Sequence, residues 1–164
     1  MGWHESVAGE DDFRNAADAI SAMFATGRGL FITGHAGCGK TFLMRIMKTL
    51  VRSELPSWYY CKSREDLDCL ARPDRLLFGT NVFIDDMGSE EIRKEFGNTI
   101  DIVGDFIQKY HASGTGRLFV TTNHPSGELN EIYGMRVLDR ILEMCVVLKL
   151  NGKSKRERIV FGND

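Results

Sequence analysis

Leu30-Phe31-Ile32-Thr33 followed by Gly34-His35-Ala36-Gly37-Cys38-Gly39-Lys40-Thr41 is the stretch on which the fold turns. An apolar, β-prone run feeds directly into GHAGCGKT, a full match to the spacing GxxxxGK[ST]. Behind it Phe42, Leu43, Ile46, Met47 and Leu50 recur at helical spacing, so Thr41 to Ser53 reads as an amphipathic helix. Strand, glycine-rich turn and helix, in that order, are what this motif requires. Gly34, Gly37 and Gly39 let the backbone curl, so that N–H groups from Gly34 through His35, Ala36, Cys38 and on to Phe42 can converge on phosphate oxygens. The helix amino end adds a favourable dipole. Lys40 supplies a cation for β- and γ-phosphates, and Thr41 offers a hydroxyl to Mg²⁺. Cys38 reads as an incidental residue within the loop.

Outward from this stretch, strand and helix alternate. Asp12 to Ala25 is a helix with Phe13, Ala16, Ala17, Ile20, Met23 and Phe24 inward, ended by Gly27 and Gly29. Ser57 to Cys61, Asn81 to Asp86, Arg117 to Asn123 and Cys145 to Leu150 read as strands, with Arg158 to Phe161 as a short extra one. Arg64 to Ala71 reads as a short helix and Ile92 to Ala112 as a long one, with Phe96, Ile100, Val103, Phe106, Ile107 and Tyr110 inward. Glu128 to Glu143 reads as two helical pieces split at Gly134. The strands are continuous apolar runs, the mark of a parallel sheet covered on both faces. The expected class is therefore α/β and doubly wound, with ligands at the carboxyl ends of the strands.

Polar strand ends then become the candidate chemistry. Val82-Phe83-Ile84-Asp85-Asp86 is an apolar strand ending in two carboxylates. Asp85 is placed to hold Mg²⁺ through water, opposite Thr41, and Asp86 to orient or deprotonate an attacking water. Thr121-Thr122-Asn123 ends the next strand, where the Asn123 amide can touch both a γ-phosphate and that water. Arg136 and Arg140 lie four apart and share one helix face. One reading makes them part of a surface helix with intrahelical pairs to Asp139 and Glu143. The other makes Arg140 a cation supplied to a neighbouring copy's nucleotide.

Composition sets the frame. The chain has 164 residues, 43% hydrophobic and 27% charged, with net charge −2. That fits one globular domain, with residues 1–27 as an acidic segment and helix and residues 28–164 as a core with a basic tail. No apolar run approaches the ~20 residues of a membrane span, and Met1 to Asp12 does not read as a secretion signal. Cys38, Cys61, Cys69 and Cys145 lack metal-site spacing and read as reduced thiols, which points to the cytoplasm. The net charge excludes wholesale attraction to DNA. It leaves local patches: Lys153, Lys155, Arg156 and Arg158 near the end, and Arg93, Lys94 and Lys109. A solvated charged tail explains these equally well.

Taken together, GHAGCGKT, FIDDMGSE (Phe83 to Glu90), TTN (Thr121 to Asn123), YGMRVLDRILEM (Tyr133 to Met144) and GKSKR (Gly152 to Arg156) resemble the AAA+ ATPases. Within these the chain is similar to the bacterial helicase-loader and insertion-sequence transposition ATPase group. The resemblance runs from about residue 28 onward. It implies a P-loop core with a five-stranded parallel sheet and no helical lid, binding ATP with Mg²⁺ and hydrolysing it between copies of a self-assembling protein. By that likeness Lys40, Asp86, Asn123 and Arg140 are the catalytic set, with Asn123 as sensor and Arg140 as arginine finger. Thr41 and Asp85 serve the metal, and Arg156 sits near the nucleotide. Many relatives have Glu where Asp86 stands, so slow turnover is expected. The implied partners are DNA, single- or double-stranded, and a replicative helicase, a transposase or another DNA-processing protein. Two other readings stand beside this one: a P-loop nucleotide or metabolite kinase, and an ATP-gated interaction module that hardly turns over.

Overall fold

The apolar run after Arg28 forms β1 (Gly29–Gly34), and its neighbours on both sides run parallel to it. The structure is a computed structural model that describes residues 10–50, 58–62, 70, 79–89, 93–95, 98–114 and 116–152. The helices are α1 (Glu10–Thr26), α2 (Lys40–Leu50), α3 (Ile102–Ser113), α4 (Ser126–Tyr133) and α5 (Met135–Met144). The remaining strands are β2 (Trp58–Lys62), β3 (Asn81–Met87), β4 (Arg93–Glu95), β5 (Asn98–Ile100), β6 (Leu118–Thr122) and β7 (Cys145–Leu150). Five strands make one sheet in the order β2-β3-β6-β1-β7, parallel throughout. β4 and β5 form a separate antiparallel pair.

Alternation along each strand divides the apolar residues between two cores. Leu30, Ile32, Phe83, Phe119, Leu148 and Leu150 face α1 and α2, where Ala16, Met23, Leu43, Met44 and Met47 are buried against them. Phe31, Val82, Ile84, Leu118, Val120 and Cys145 face the opposite way, against Val103, Phe106 and Ile107 of α3 and Val137, Leu138 and Ile141 of α5. Trp58, Phe83 and Phe119 extend the first core, with the Phe83 and Phe119 rings stacked at 4.6 Å. The buried runs are thus two-sided, as their continuous apolar character implies. Among the described residues no helix is long and apolar enough to cross a membrane.

The expected doubly wound α/β class and its parallel five-stranded sheet are what the structure has. One expected element is corrected. The helix read over Ile92 to Ala112 begins only at Ile102, and Arg93–Glu95 and Asn98–Ile100 are strands. The reason is local: the Asp101 carboxylate accepts from the Gly104 N–H at 2.7 Å and caps the helix there. The break between the two expected pieces at Gly134 is present, with φ of 80°. The helix read at Arg64 to Ala71, of which Leu70 alone is described, lies otherwise outside the described residues, as do Arg158 to Phe161 and the basic cluster Lys153, Lys155, Arg156 and Arg158.

Candidate active site

β3, β6 and β1 are consecutive in the sheet. Their carboxyl ends therefore lie side by side, one strand spacing of about 4.8 Å apart. From β1 the chain turns through the glycine loop into α2. Gly37 and Gly39 adopt φ of 82° and 101°, conformations that a side chain disfavours. At Gly34 a Cβ would come within 2.4 Å of the Leu150 carbonyl oxygen, so β7 closes tightly on the loop's first residue. Lys40, the first residue of α2, is only 5% exposed. Its ammonium donates to the Gly34 and His35 carbonyls at 2.7 and 2.8 Å and to Asn123 Oδ1 at 2.6 Å.

Asn123 joins this loop to the carboxylates. With its oxygen on Lys40, its Nδ2 donates to Asp86 Oδ1 at 3.0 Å. Asp86 reaches that position through a bulge. Ile84 pairs with Val120 and Met87 with Thr122, so Asp85 and Asp86 together oppose Thr121. Asp86 has φ of 59°, the one positive value at a non-glycine among the described residues. Its N–H donates to Thr121 Oγ1 at 2.9 Å, while Ser89 donates to its carbonyl from both N and Oγ, at 3.1 and 2.6 Å. A regular strand would put Asp86 on the Ile84 face, against α3 and α5. The extra residue instead brings Asp86 round to the glycine loop.

Asp85 is 2% exposed. Its Oδ1 accepts from Thr41 Oγ1 at 3.1 Å and Thr121 Oγ1 at 2.6 Å, and its Oδ2 from the Tyr60 hydroxyl at 2.6 Å. Burial, then the Asp85 carboxylate, raises the pKa of Tyr60, so its hydroxyl stays protonated and donating. Among the described residues no group of three or more His, Cys, Asp or Glu is placed to hold a metal ion. The adjacent Thr41 hydroxyl and Asp85 carboxylate do suit Mg²⁺, which keeps several waters and takes few protein oxygens. Beside them opens a cavity of about 260 Å³ lined by Ala36, Gly37, Gly39, Lys40, Thr41, Phe42, Asp86 and Asn123.

Sequence-predicted residues from three separate segments therefore meet here: Lys40 and Thr41, Asp85 and Asp86, and Asn123. Cys38 lies in the loop but is fully buried in the core beneath it, with Leu30, Ile32 and Leu43. Gly34 and His35 contribute carbonyls to Lys40 and do not line the cavity. Arg140 does not line it either. Its guanidinium is paired with Glu143 at 3.0 and 2.8 Å, and Glu143 also meets His111 Nε2 at 2.7 Å. These two partners hold the Glu143 carboxyl below its ordinary pKa, Arg140 first. Arg156 lies outside the described residues.

No family model matches the sequence, and no curated protein matches it. Solved structures do. The crystal structure of the DnaC helicase loader superposes with a TM-score of 0.65 at 18% identity, covering 88% of this chain and 93% of that one. The fold is that of an AAA+ core. AMPPCP-bound DnaA from Aquifex aeolicus gives a TM-score of 0.58 at 15% identity over 93% of this chain and 51% of that one. The replication initiator DnaA bound to AMPPCP and single-stranded DNA gives 0.59 at 12% identity over 92% and 49%. The chain thus spans about half of either DnaA chain.

Within this fold three contributors escaped the sequence reading. Tyr60 sits on the edge strand and reaches Asp85 because β2 pairs with β3 in a register that places Tyr60 beside Phe83. Thr121 stands inside the TTN run, but its double role at Asp85 and Asp86 depends on the bulge. Arg28 donates from Nη2 to the Leu142 carbonyl and to the Cys145 carbonyl at 2.5 Å, anchoring the end of α5 to the start of β1. Each pairing is long-range, and nothing in local spacing announces it.

Proposed function

We propose that this protein binds ATP with Mg²⁺ in the cavity above β1, β3 and β6 and hydrolyses it slowly, at interfaces between copies of itself. The observation that carries this reading is the chain of hydrogen bonds from Lys40 through Asn123 to Asp86, which links the phosphate loop to a carboxylate across one cavity. The loop's N–H groups and the α2 amino end bind phosphate oxygens. Lys40 exchanges its carbonyl acceptors for those oxygens and neutralises their charge. Mg²⁺ bound beside Thr41 and Asp85 would supply further charge neutralisation on the phosphates. Asp86 orients the attacking water and accepts its proton, and Asn123 reports the γ-phosphate to Asp86. The residues lining the cavity include one cation, Lys40. A second cation for the transition state comes from Arg140 of a neighbouring copy, released from Glu143.

The biological setting we infer is replication, as in helicase loading, or DNA transposition. It rests on the sequence resemblance and on the likeness in fold to a helicase loader and a replication initiator. The assembled protein works in the cytoplasm on DNA and on a replicative helicase, a transposase or another DNA-processing partner. The test is turnover per chain measured against protein concentration, with and without single-stranded DNA. The reading predicts a rate per chain that rises with concentration as interfaces form. A rate independent of concentration would remove the shared site, and ADP release only on adding a small phosphate acceptor would make the protein a kinase.

A further inference from the structure

Tyr60 lies on the edge strand β2, opposite Phe83 in register. Side chains alternate along a strand, so Tyr60 shares a face with Phe83 and, one diagonal step on, with Asp85. Its ring lines a cavity of about 190 Å³ with Met44, Arg45, Lys48 and Phe83. Tyr60 as a whole is 37% exposed. Its hydroxyl nonetheless makes a 2.6 Å hydrogen bond to Asp85 Oδ2. Phenylalanine would fill the same space against Phe83 and Met44, so the ring's packing does not account for the hydroxyl.

The carboxylate it meets is clamped on both edges. Thr41 and Thr121 donate to Oδ1, and Tyr60 donates to Oδ2. With one oxygen held from either side, the plane of the Asp85 carboxylate cannot rotate about its last bond, and Oδ1 is kept toward Thr41. We propose that Tyr60 is a positioning residue for Asp85: its hydroxyl fixes the carboxylate in the orientation that receives a hydrated Mg²⁺ beside Thr41. This rests on the reading that Thr41 and Asp85 serve Mg²⁺ in an ATP site. The partner that orients a ligand commonly contributes 10- to 100-fold to metal affinity.

The experiment compares the full chain with its Tyr60→Phe variant. ATP binding is measured by calorimetry across a Mg²⁺ titration and again in EDTA, with a melting curve for each protein. The expected result is a half-saturating Mg²⁺ concentration raised about 10-fold in Tyr60→Phe, with ATP affinity in EDTA and melting temperature unchanged. A purely structural role would lower the melting temperature or weaken ATP binding equally with and without Mg²⁺, and either outcome overturns the proposal. So does an unchanged Mg²⁺ requirement in Tyr60→Phe beside a wild type whose ATP binding depends on Mg²⁺, which would leave the ATP site standing. A wild type that binds no ATP, or binds it with no response to Mg²⁺, sinks the ATP-site reading and this inference together.

Discussion

Among the described residues Asp86 carries the sharpest local conflict. A left-handed conformation at a residue with a side chain costs about 1–3 kcal/mol, at the low end for aspartate. Three hydrogen bonds, from its N–H to Thr121 and from Ser89 N and Oγ to its carbonyl, offset this at about 1 kcal/mol each. The conformation is thus affordable, and its effect is to place two adjacent carboxylates in two different surroundings. Asp85 is buried among hydroxyls, and Asp86 lines the cavity. On the proposed reading Asp86→Asn keeps Mg-ATP bound but lowers turnover by about 10²–10⁴, because an amide cannot take the water's proton. Asp85→Asn instead raises the Mg²⁺ needed for ATP binding. Calorimetry alongside phosphate release checks both, and the opposite assignment of defects would mean that the carboxylates have exchanged roles. The sequence announced the pair as a polar strand end. It held no sign of the bulge, because a bulge is defined only against the partner strand.

Elements show the same division between local and long-range information. β1, α2, β3, β6 and β7 were legible because each is a continuous apolar run or an amphipathic face closed by glycine or polar residues. The stretch from Ile92 onward misled because Phe96, Ile100, Val103 and Phe106 keep helical spacing across Gly97 and Asp101. The capping Asp101 was a readable start signal that the apolar period outweighed. α5 is held at its carboxyl end by Arg28, and on its exposed side Arg140, Glu143 and His111 make one contact group. A carboxyl held below its ordinary range keeps its ion pair at neutral pH. That contact is lost as pH falls through the depressed pKa of the folded state. Carboxyl carbon NMR should therefore show Glu143 titrating below the usual range, with its midpoint rising toward that range in Arg140→Ala. An unchanged midpoint would mean that the pair does not form in solution.

For the whole molecule, sheet order is what assembles the site. The glycine loop, the two aspartates and Asn123 are far apart in the chain and become neighbours because β3, β6 and β1 are adjacent. No spacing rule in the sequence gives that order; it is seen only in the strand pairing. Arg140 lies on α5, away from the cavity and engaged with Glu143. On the proposed reading Arg140 therefore acts on another copy's nucleotide. A supplied arginine is worth about 10³–10⁵ in rate, so Arg140→Ala binds ATP but fails to hydrolyse it, whereas Lys40→Ala loses most of its ATP affinity. Mixing these two variants and measuring phosphate release tests the shared site most directly. Each alone is inactive. In an equimolar mixture about a quarter of head-to-tail interfaces join an intact phosphate loop to an intact Arg140, and turnover recovers toward that share of the wild-type rate. Mixed assemblies, verified by mass, that show no recovery would contradict hydrolysis between copies.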